Sequence, residues 1–249
     1  MEQTTNKTQN FERKAGVLLP VFSLPSAEGI GTLGKGAYEF VDFLAGAGMR
    51  VWQVLPLLPT SYGDSPYQSC SSDALNHYFI DLELLVSDGL LFEDEIKGID
   101  WGAKDRVNYE QLFEYKARIL RLAFTRFDKT SAEWQAFLTE GKYLDYATFM
   151  ALKEKFAYAT WSDWPEPYKQ AYAETMDNFR LAHKSEIEFW QFTQYLFLKQ
   201  WFALKAYANA NGVSIMGDMP IYVAYDSVET WKYREELFML DEDGSPSLR

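Results

Sequence analysis

Side chains that could bind a sugar follow directly after an apolar run in the first third of the chain. The run from Val51 to Pro59 leads into residues 63–76, "GDSPYQSCSSDALN". Pro66 fixes its own φ and biases Ser65 towards extended geometry, which predicts that Tyr67 is held stiffly at the end of a strand. A fixed ring among hydrogen-bonding groups suits a polyol ligand, although a rigid surface turn explains the same residues equally well. The candidate binding residues here are Tyr62, Asp64, Ser65, Tyr67 and Gln68.

Carboxylates follow the apolar run "VSIMGDMPIYV" near the end of the sequence. Asp218 lies in this run, Asp226 and Glu229 come soon after it, and Trp231 is a possible second aromatic platform. Glycosidases need two carboxyl groups about 5–5.5 Å apart when they retain configuration and about 6.5–9.5 Å apart when they invert it. Eight residues of extended chain would separate Asp218 and Asp226 too far for such a pair. We therefore expect both to bind substrate and neither to be catalytic.

Three other features could carry chemistry, and each has a simpler explanation. Residues 29–34, "GIGTLG", match G-x-G-x-x-G, but a dinucleotide site needs a strand directly before the glycines and an acidic residue about 20 positions later. We predict a helix-entry loop instead. Cys70 has no basic neighbour in sequence and is expected to be inert. His77 and His183 lack zinc-like spacing, so no metal or cofactor is expected, and His77 is predicted to form a hydrogen bond within its loop.

Apolar runs predict three buried parallel strands, within Lys14 to Ser26, Arg50 to Leu57, and residues 213–223. A helix ending at Gly46 and Gly48 connects the first two by a right-handed crossover. The apolar face of this helix consists of Ala37, Phe40, Val41 and Leu44.

About a hundred mostly helical residues separate the second and third strands. Residues 108–127 and 144–156 each form one helical pattern. A long helix then begins at Ser185, where Glu188 completes a capping-box signature, and stops at Gly212. Its apolar residues nearly surround it, which predicts burial on several sides.

The fold class predicted from this order is α/β, with the first three strands of an incomplete (β/α)8 TIM-type barrel and a large helical insertion between strands 2 and 3. The corresponding segments are residues 1–80, 81–184 and 185–249, the last containing strand 3 and the start of a hairpin with a turn at Asp243–Gly244. A closed barrel needs eight strands in about 250 residues, so three strands predict the N-terminal part of something larger.

Bulk properties exclude several classes of partner. The net charge of −12 disfavours nucleic acids and anionic membrane surfaces, which both attract cationic proteins. The mean hydropathy is −0.29 and no apolar run approaches 18 residues, which argues against a membrane span. The N-terminus lacks the apolar stretch of a secretory signal, and a single cysteine suits a reducing compartment. The sequence therefore predicts a cytoplasmic protein with a small neutral or cationic ligand.

Four segments together resemble a known family: "SYGDSPYQS", "DYATFMALKEKF", "FTQYLFLKQW" and "IMGDMPIYVAYDSVETW". They look like the N-terminal half of the 4-α-glucanotransferases, the amylomaltases or disproportionating enzymes of glycoside hydrolase family 77. The resemblance implies retaining transfer of an α-1,4-glucan segment to a 4-hydroxyl, with maltooligosaccharides and glucose as partners. It also implies that Tyr67 packs at the sugar next to the scissile bond, that Asp218 is a structural or substrate-contacting carboxylate, and that Tyr62 lines a glucan-contacting surface.

The resemblance places no catalytic residue within the chain. The family's nucleophile lies in an Arg-x-Asp-His-Phe-Arg segment that does not occur before Arg249, and the loop after Ser69 keeps Asn76 but lacks the family's adjacent Gly and Pro. A protein ending at Arg249 is therefore expected to transfer no glucan. Two alternatives remain open: a non-catalytic α-glucan-binding protein, and an α-amylase-type hydrolase in which water replaces the acceptor sugar.

Overall fold

The computed structural model describes residues 13–61, 63–103 and 105–234. Tyr62, which was predicted to contact glucan, and the predicted hairpin around Asp243–Gly244 lie outside the described residues.

A parallel sheet of three short strands lies where the three apolar runs predict strands. The strands are adjacent in chain order, with the second in the middle. Trp52 of the middle strand is paired with Val17 on one side and with Ile215 on the other. The predicted order and direction of the strands are therefore confirmed. The strands are β1 (Gly16–Leu18), β2 (Val51–Gln53) and β3 (Ser214–Met216).

The prediction that all three strands are buried is wrong for the two outer ones. Leu18 of β1 and Met216 of β3 are about half exposed, at 52% and 50%, whereas Trp52 of β2 is fully buried. Only β2 has a neighbouring strand on both sides among the described residues, so only β2 is shielded along both edges. The strands are also shorter than their apolar runs, because the chain enters a 3₁₀ helix at Val21–Ser23 directly after Pro20.

The helix that connects the first two strands has the predicted face. Helix α1 (Lys35–Gly46) buries Ala37, Val41 and Leu44. The ring of Phe40 contacts the edge of Trp52 with 5.1 Å between ring centroids, which packs α1 against the sheet.

Among the described residues, seven α-helices lie between β2 and the long helix that precedes β3. The two helical patterns predicted in this region are confirmed, one of them beginning at Asn108, whose side chain accepts a hydrogen bond from the backbone N–H of Gln111. The helices are α2 (Leu82–Ser87), α3 (Glu93–Ile96), α4 (Tyr109–Arg126), α5 (Ala132–Glu140), α6 (Leu144–Lys155), α7 (Glu166–Lys169) and α8 (Ala173–Ala182).

The long helix is α9 (Lys184–Ala210), and its predicted start is wrong by one residue. No side chain caps α9. Helix α8 ends only two residues earlier, so His183 is both the C-cap of α8 and the N-cap of α9. Its end is as predicted, with Gly212 in the left-handed region at φ +73°.

One continuous hydrophobic core extends from the loop after β1 to the short helix α10 (Val228–Lys232). Helix α9 lies in its middle and packs against α1, α4, α5, α6, α8 and β3, which confirms its predicted burial on several sides. The chain is thus an α/β protein with a small parallel sheet and many helices. The boundaries at residues 80 and 184, and the identity of the sheet as part of a (β/α)8 barrel, stay predictions.

Candidate functional site

The segment after β2, which we call the opening loop (residues 60–76), begins with a narrow turn. Thr60 and Ser69 form an antiparallel bridge, and the backbone N–H of Ser61 donates to the carbonyl of Gln68 at 3.1 Å. Tyr67 lies within this turn and its side chain is 44% exposed. The described part of the opening loop therefore presents the ring of Tyr67 to solvent beyond the end of β2.

Tyr67 is hydrogen-bonded to Asp218, which follows β3 by two residues. The phenol Oη donates to Asp218 Oδ2 at 2.7 Å, although the two residues are 151 positions apart in sequence. Asp218 Oδ1 accepts a second hydrogen bond, from the backbone N–H of Met219 at 2.9 Å. The bond to Asp218 raises the pKa of Tyr67 above its ordinary value. Because β2 and β3 are parallel neighbours, their carboxyl ends bring the two segments together, as α/β folds do at ligand sites.

Three other predicted residues, Asp64, Ser65 and Gln68, lie in the same turn as Tyr67. Ser65 Oγ accepts a hydrogen bond from the Tyr67 backbone N–H at 3.3 Å. Asp64 and Gln68 have exposed side chains, and partial burial raises the pKa of Asp64. Asp64 also adopts a left-handed backbone with φ +54°, unusual for a residue other than glycine. The turn thus combines a ring, a carboxylate, a hydroxyl and an amide at one exposed edge.

Asp226 is not part of this contact. Its carboxylate is bonded to Lys153 Nζ at 2.5 Å and accepts from the Trp161 backbone N–H at 3.2 Å. Lys153 is almost fully buried and also donates to the carbonyls of Tyr158 and Ala159. Asp226 therefore connects the segment after β3 to the end of α6, and its role as a sugar ligand stays a prediction.

Trp231 is not an aromatic platform, contrary to the prediction. Only 2% of it is exposed, and its indole N–H donates to the Tyr168 carbonyl at 2.9 Å. It packs against Trp164 at 5.7 Å and Phe149 at 5.6 Å between ring centroids. The faces of the Trp231 ring pack in the core and cannot stack on a sugar. The local sequence around Trp231 does not indicate this burial.

The lone cysteine and His77 are both buried. Burial raises the pKa of the Cys70 thiol to about 12, which agrees with its predicted inertness. Burial lowers the pKa of His77 to about 3, with a smaller effect from the charge of Lys116. His77 Nδ1 has no hydrogen-bond partner among the described residues, so the predicted loop hydrogen bond is not formed at that atom.

The glycines after β1 allow two segments of the chain to approach closely. A Cβ at Gly31 would lie 1.9 Å from the Val21 carbonyl oxygen, and a Cβ at Gly34 would lie 1.8 Å from an Asp81 carboxylate oxygen. These contacts are internal to the fold. Because α1 begins at Lys35, directly after Gly34, the predicted helix-entry loop is confirmed.

A buried ion pair near these glycines is absent from the sequence-based predictions. Glu28 Oε2 contacts Lys116 Nζ at 2.5 Å, and Glu28 Oε1 accepts the backbone N–H of Leu82. Burial raises the pKa of Glu28 despite the attraction of Lys116. Lys116 lies between Leu112 and Leu120 on the apolar face of α4, and this charge within an apolar face is the sequence signal that could have revealed the pair.

Within the three described ranges, no group of three or more His, Cys, Asp or Glu side chains is arranged to hold a metal ion. No helix in this part of the chain is long and apolar enough to cross a bilayer.

A family model described as 4-alpha-glucanotransferase matches residues 19–247. Among curated relatives, the 4-alpha-glucanotransferase of Clostridium butyricum is 43% identical over 90% of this chain and 46% of its own length. That of Thermus thermophilus is 45% identical over 95% of this chain and 48% of its own length. The chain thus spans about half the length of the curated relatives it matches.

Solved structures show the same similarity. The amylomaltase from Streptococcus agalactiae, determined in complex with acarbose, superposes with a TM-score of 0.88 at 42% identity, covering 94% of this chain and 48% of that protein. The amylomaltase from Corynebacterium glutamicum superposes with a TM-score of 0.64 at 19% identity, covering 87% of this chain and 31% of that protein, which is a likeness of fold alone.

Proposed function

Because the chain belongs to the 4-alpha-glucanotransferase family, we propose that it provides the first part of the sugar site of an enzyme that transfers α-1,4-glucan segments. The hydrogen bond between Tyr67 and Asp218 is the observation that carries this proposal. It places an exposed ring and a carboxylate next to each other at the carboxyl ends of two parallel strands, where such folds bind ligands.

In this proposal the ring and the carboxylate have different tasks. A face of Tyr67 packs against the apolar C–H face of a glucose unit, and Asp218 accepts hydrogen bonds from sugar hydroxyls. Asp64, Ser65 and Gln68 supply further polar contacts at the same edge, and Tyr62 extends the glucan-contacting surface. The proposal also includes Asp226, a second carboxylate of the segment after β3. Asp226 is paired with Lys153 when no sugar is bound.

The reaction is a retaining double displacement. A carboxylate nucleophile attacks the anomeric carbon while a carboxylic acid protonates the leaving oxygen, and the 4-hydroxyl of an acceptor sugar then displaces the enzyme. We assign none of these chemical roles to the described residues.

The three strands are the first of a (β/α)8 barrel, α2–α8 form its insertion, and no cofactor is required. A cytoplasmic location, supported by the single cysteine, and maltooligosaccharide and glucose substrates, supported by the acarbose-bound relative, complete the proposal.

A calorimetric titration with acarbose and with maltoheptaose tests the site. Tyr67→Ala, which removes the ring, is expected to weaken binding by roughly tenfold or more, equivalent to about 1.4 kcal/mol. Tyr67→Phe and Asp218→Asn change the hydrogen bond and retain the packing, so smaller losses are expected. Tyr172→Ala, at a tyrosine that is 54% exposed elsewhere, is the control. No binding by the unmodified chain, or equal binding by Tyr67→Ala, would contradict the proposal.

Incubation with maltotriose separates transfer from the alternatives. We expect the 249-residue chain to release no glucose and to form no longer oligosaccharides, because the nucleophile segment is missing from it. Turnover by this chain would refute that expectation. In a longer protein that contains the segment, transfer leaves the number of reducing ends nearly constant, hydrolysis increases it, and a non-catalytic glucan-binding protein changes no product.

A further inference from the structure

Glu229 of α10 is a carboxylate of the segment after β3 to which the proposed site gives no role. Its Oε1 accepts hydrogen bonds from the Ser72 backbone N–H at 2.7 Å, from Ser72 Oγ at 2.8 Å and from Ser71 Oγ at 3.3 Å. All three donors belong to the opening loop, 157 or 158 positions away in sequence. Three donors of the loop thus converge on one oxygen of Glu229, which makes this a specific contact between the two segments.

The first turn of α10 holds the same part of the loop through its backbone. The N–H of Val228 donates to the carbonyl of Cys70 at 2.9 Å. Ser227 and Thr230 form a capping box that fixes where α10 begins. Two consecutive residues of a capped helix therefore bind three consecutive residues, 70–72, of the opening loop.

This anchor lies close to the turn that carries Tyr67. The anchored residues 70–72 follow Ser69 directly, and Ser69 forms the bridge to Thr60 that closes the turn. Asp218 in turn precedes Val228 by ten residues in the chain. Tyr67 is thus connected to α10 through the opening loop and the carboxylate of Glu229. Asp218 is connected to α10 through the backbone that leads to Val228.

The second carboxylate oxygen of Glu229 makes no hydrogen bond to the loop. Oε2 is buried and has no hydrogen-bond partner among the described residues. A buried acceptor without a donor is unfavourable, so the contacts of Oε1 are what the side chain contributes. Glutamine would present the same acceptor towards the loop without the charge.

We propose that Glu229 is a positioning residue, which holds residues 70–72 of the opening loop and thereby keeps Tyr67 in place against Asp218. It touches no sugar. The part of this inference that concerns sugar affinity rests on the proposed function, whereas the part that concerns the loop does not.

Glu229→Gln and Glu229→Ala test the inference, with Glu174→Ala at an exposed glutamate of α8 as the control. Hydrogen exchange of peptides covering residues 63–72 is expected to be at least roughly tenfold faster in Glu229→Ala, because the Ser72 N–H loses its acceptor, and unchanged in Glu229→Gln and Glu174→Ala. Acarbose affinity should follow the same pattern: about tenfold weaker in the alanine variant, and within about twofold of the unmodified chain in the glutamine variant.

NMR of Cζ-labelled tyrosine supplies a reporter of the site itself. The Tyr67 signal, assigned by its loss in Tyr67→Phe, should titrate at lower pH in Glu229→Ala than in the unmodified chain, since the bond to Asp218 raises the pKa of Tyr67. In Glu229→Gln the Tyr67 signal should titrate as it does in the unmodified chain. If Glu229 acted only through its charge, Glu229→Gln would shift the Tyr67 titration as Glu229→Ala does.

Each outcome is decisive. If Glu229→Gln keeps the loop protected but loses acarbose, Glu229 binds sugar and the inference is wrong. If Glu229→Ala leaves exchange and the Tyr67 titration unchanged, the residue positions nothing. If the unmodified chain does not bind acarbose, the proposed function fails, and exchange and titration still decide the loop anchor. Should Glu229→Ala not fold by circular dichroism, Ser72→Ala removes one donor at the same contact and should give an intermediate acceleration of exchange.

Discussion

We expect the stability of this protein to fall at mildly acidic pH because of His77. Its imidazole is 8% exposed, with the edge of Trp190 5.3 Å and the ring of Tyr78 4.4 Å away between centroids. Burial lowers its pKa to about 3 in the folded chain, against 6.5 for an unperturbed histidine. Between these values the unfolded chain binds a proton that the folded chain does not, so stability falls as pH falls from 6.5 towards 3.

The magnitude at pH 5 follows from the unfolded pKa. pH 5 lies 1.5 units below 6.5 and well above the folded value, and each unit is worth 1.36 kcal/mol, which gives a loss of about 2 kcal/mol relative to pH 7. Glu28 acts in the opposite direction, because its raised pKa lets the folded chain keep a proton above pH 4.5. Comparison with a variant that lacks only the imidazole cancels the contribution of Glu28, because both proteins contain Glu28.

His77→Phe is that variant, since phenylalanine keeps an aromatic ring against Trp190 and cannot titrate. Urea denaturation followed by tryptophan fluorescence at pH 7 and pH 5 gives the free energy of unfolding of each protein. The unmodified chain should lose about 2 kcal/mol more than His77→Phe between the two conditions. His183→Gln measures what the other histidine contributes. Equal losses in the unmodified chain and His77→Phe would refute the claim that the fold keeps His77 neutral.

Three further variants test contacts in the core. Lys116→Met leaves the buried Glu28 carboxyl without its partner and should destabilise the protein by about 3–5 kcal/mol in urea denaturation, most of it recovered when Glu28→Gln is added. Gly34→Ala should lower the melting temperature sharply, because the new Cβ would lie 1.8 Å from a carboxylate oxygen, whereas Gly46→Ala meets nothing within 4 Å and should be neutral or stabilising by up to about 1 kcal/mol. Cys70, with a pKa raised to about 12, should react with a disulfide reagent at pH 8 only when urea is present, and rapid labelling of the folded chain would contradict its burial.

Elements whose signals are local were predictable from the sequence. The face of α1 follows from apolar residues that repeat with the helical period, the presence of α4 and α6 follows from their helical patterns, and the end of α9 follows from Gly212. The order of the three strands also follows, because helical crossovers between apolar runs favour parallel neighbours. The start of α9 was missed because Ser185 has the right residue type for a cap, while the actual boundary depends on how α8 packs against α9.

The partners of the carboxylates were not predictable, because they lie far away in sequence. Asp218, Asp226 and Glu229 fall within twelve residues, and nothing local distinguishes them. In the structure they bind a phenol, a buried lysine and a pair of serines, at separations of between 73 and 158 positions. Tertiary packing decides which of the three stays exposed. Asp218 does, and it is the one that meets Tyr67.

The opening loop is held firmly in its second half and weakly at Tyr67, and this difference suits a ligand site. Both backbone groups of Leu75 are bonded to the Gln194 side chain, and residues 70–72 are bonded to α10. The bond between Tyr67 and Asp218 is exposed, so water competes for both groups and the bond contributes little net stability. In the proposed function, a sugar hydroxyl would take the place of Tyr67 on Asp218 at small cost, while the anchored half of the loop would keep the ring close to the sugar.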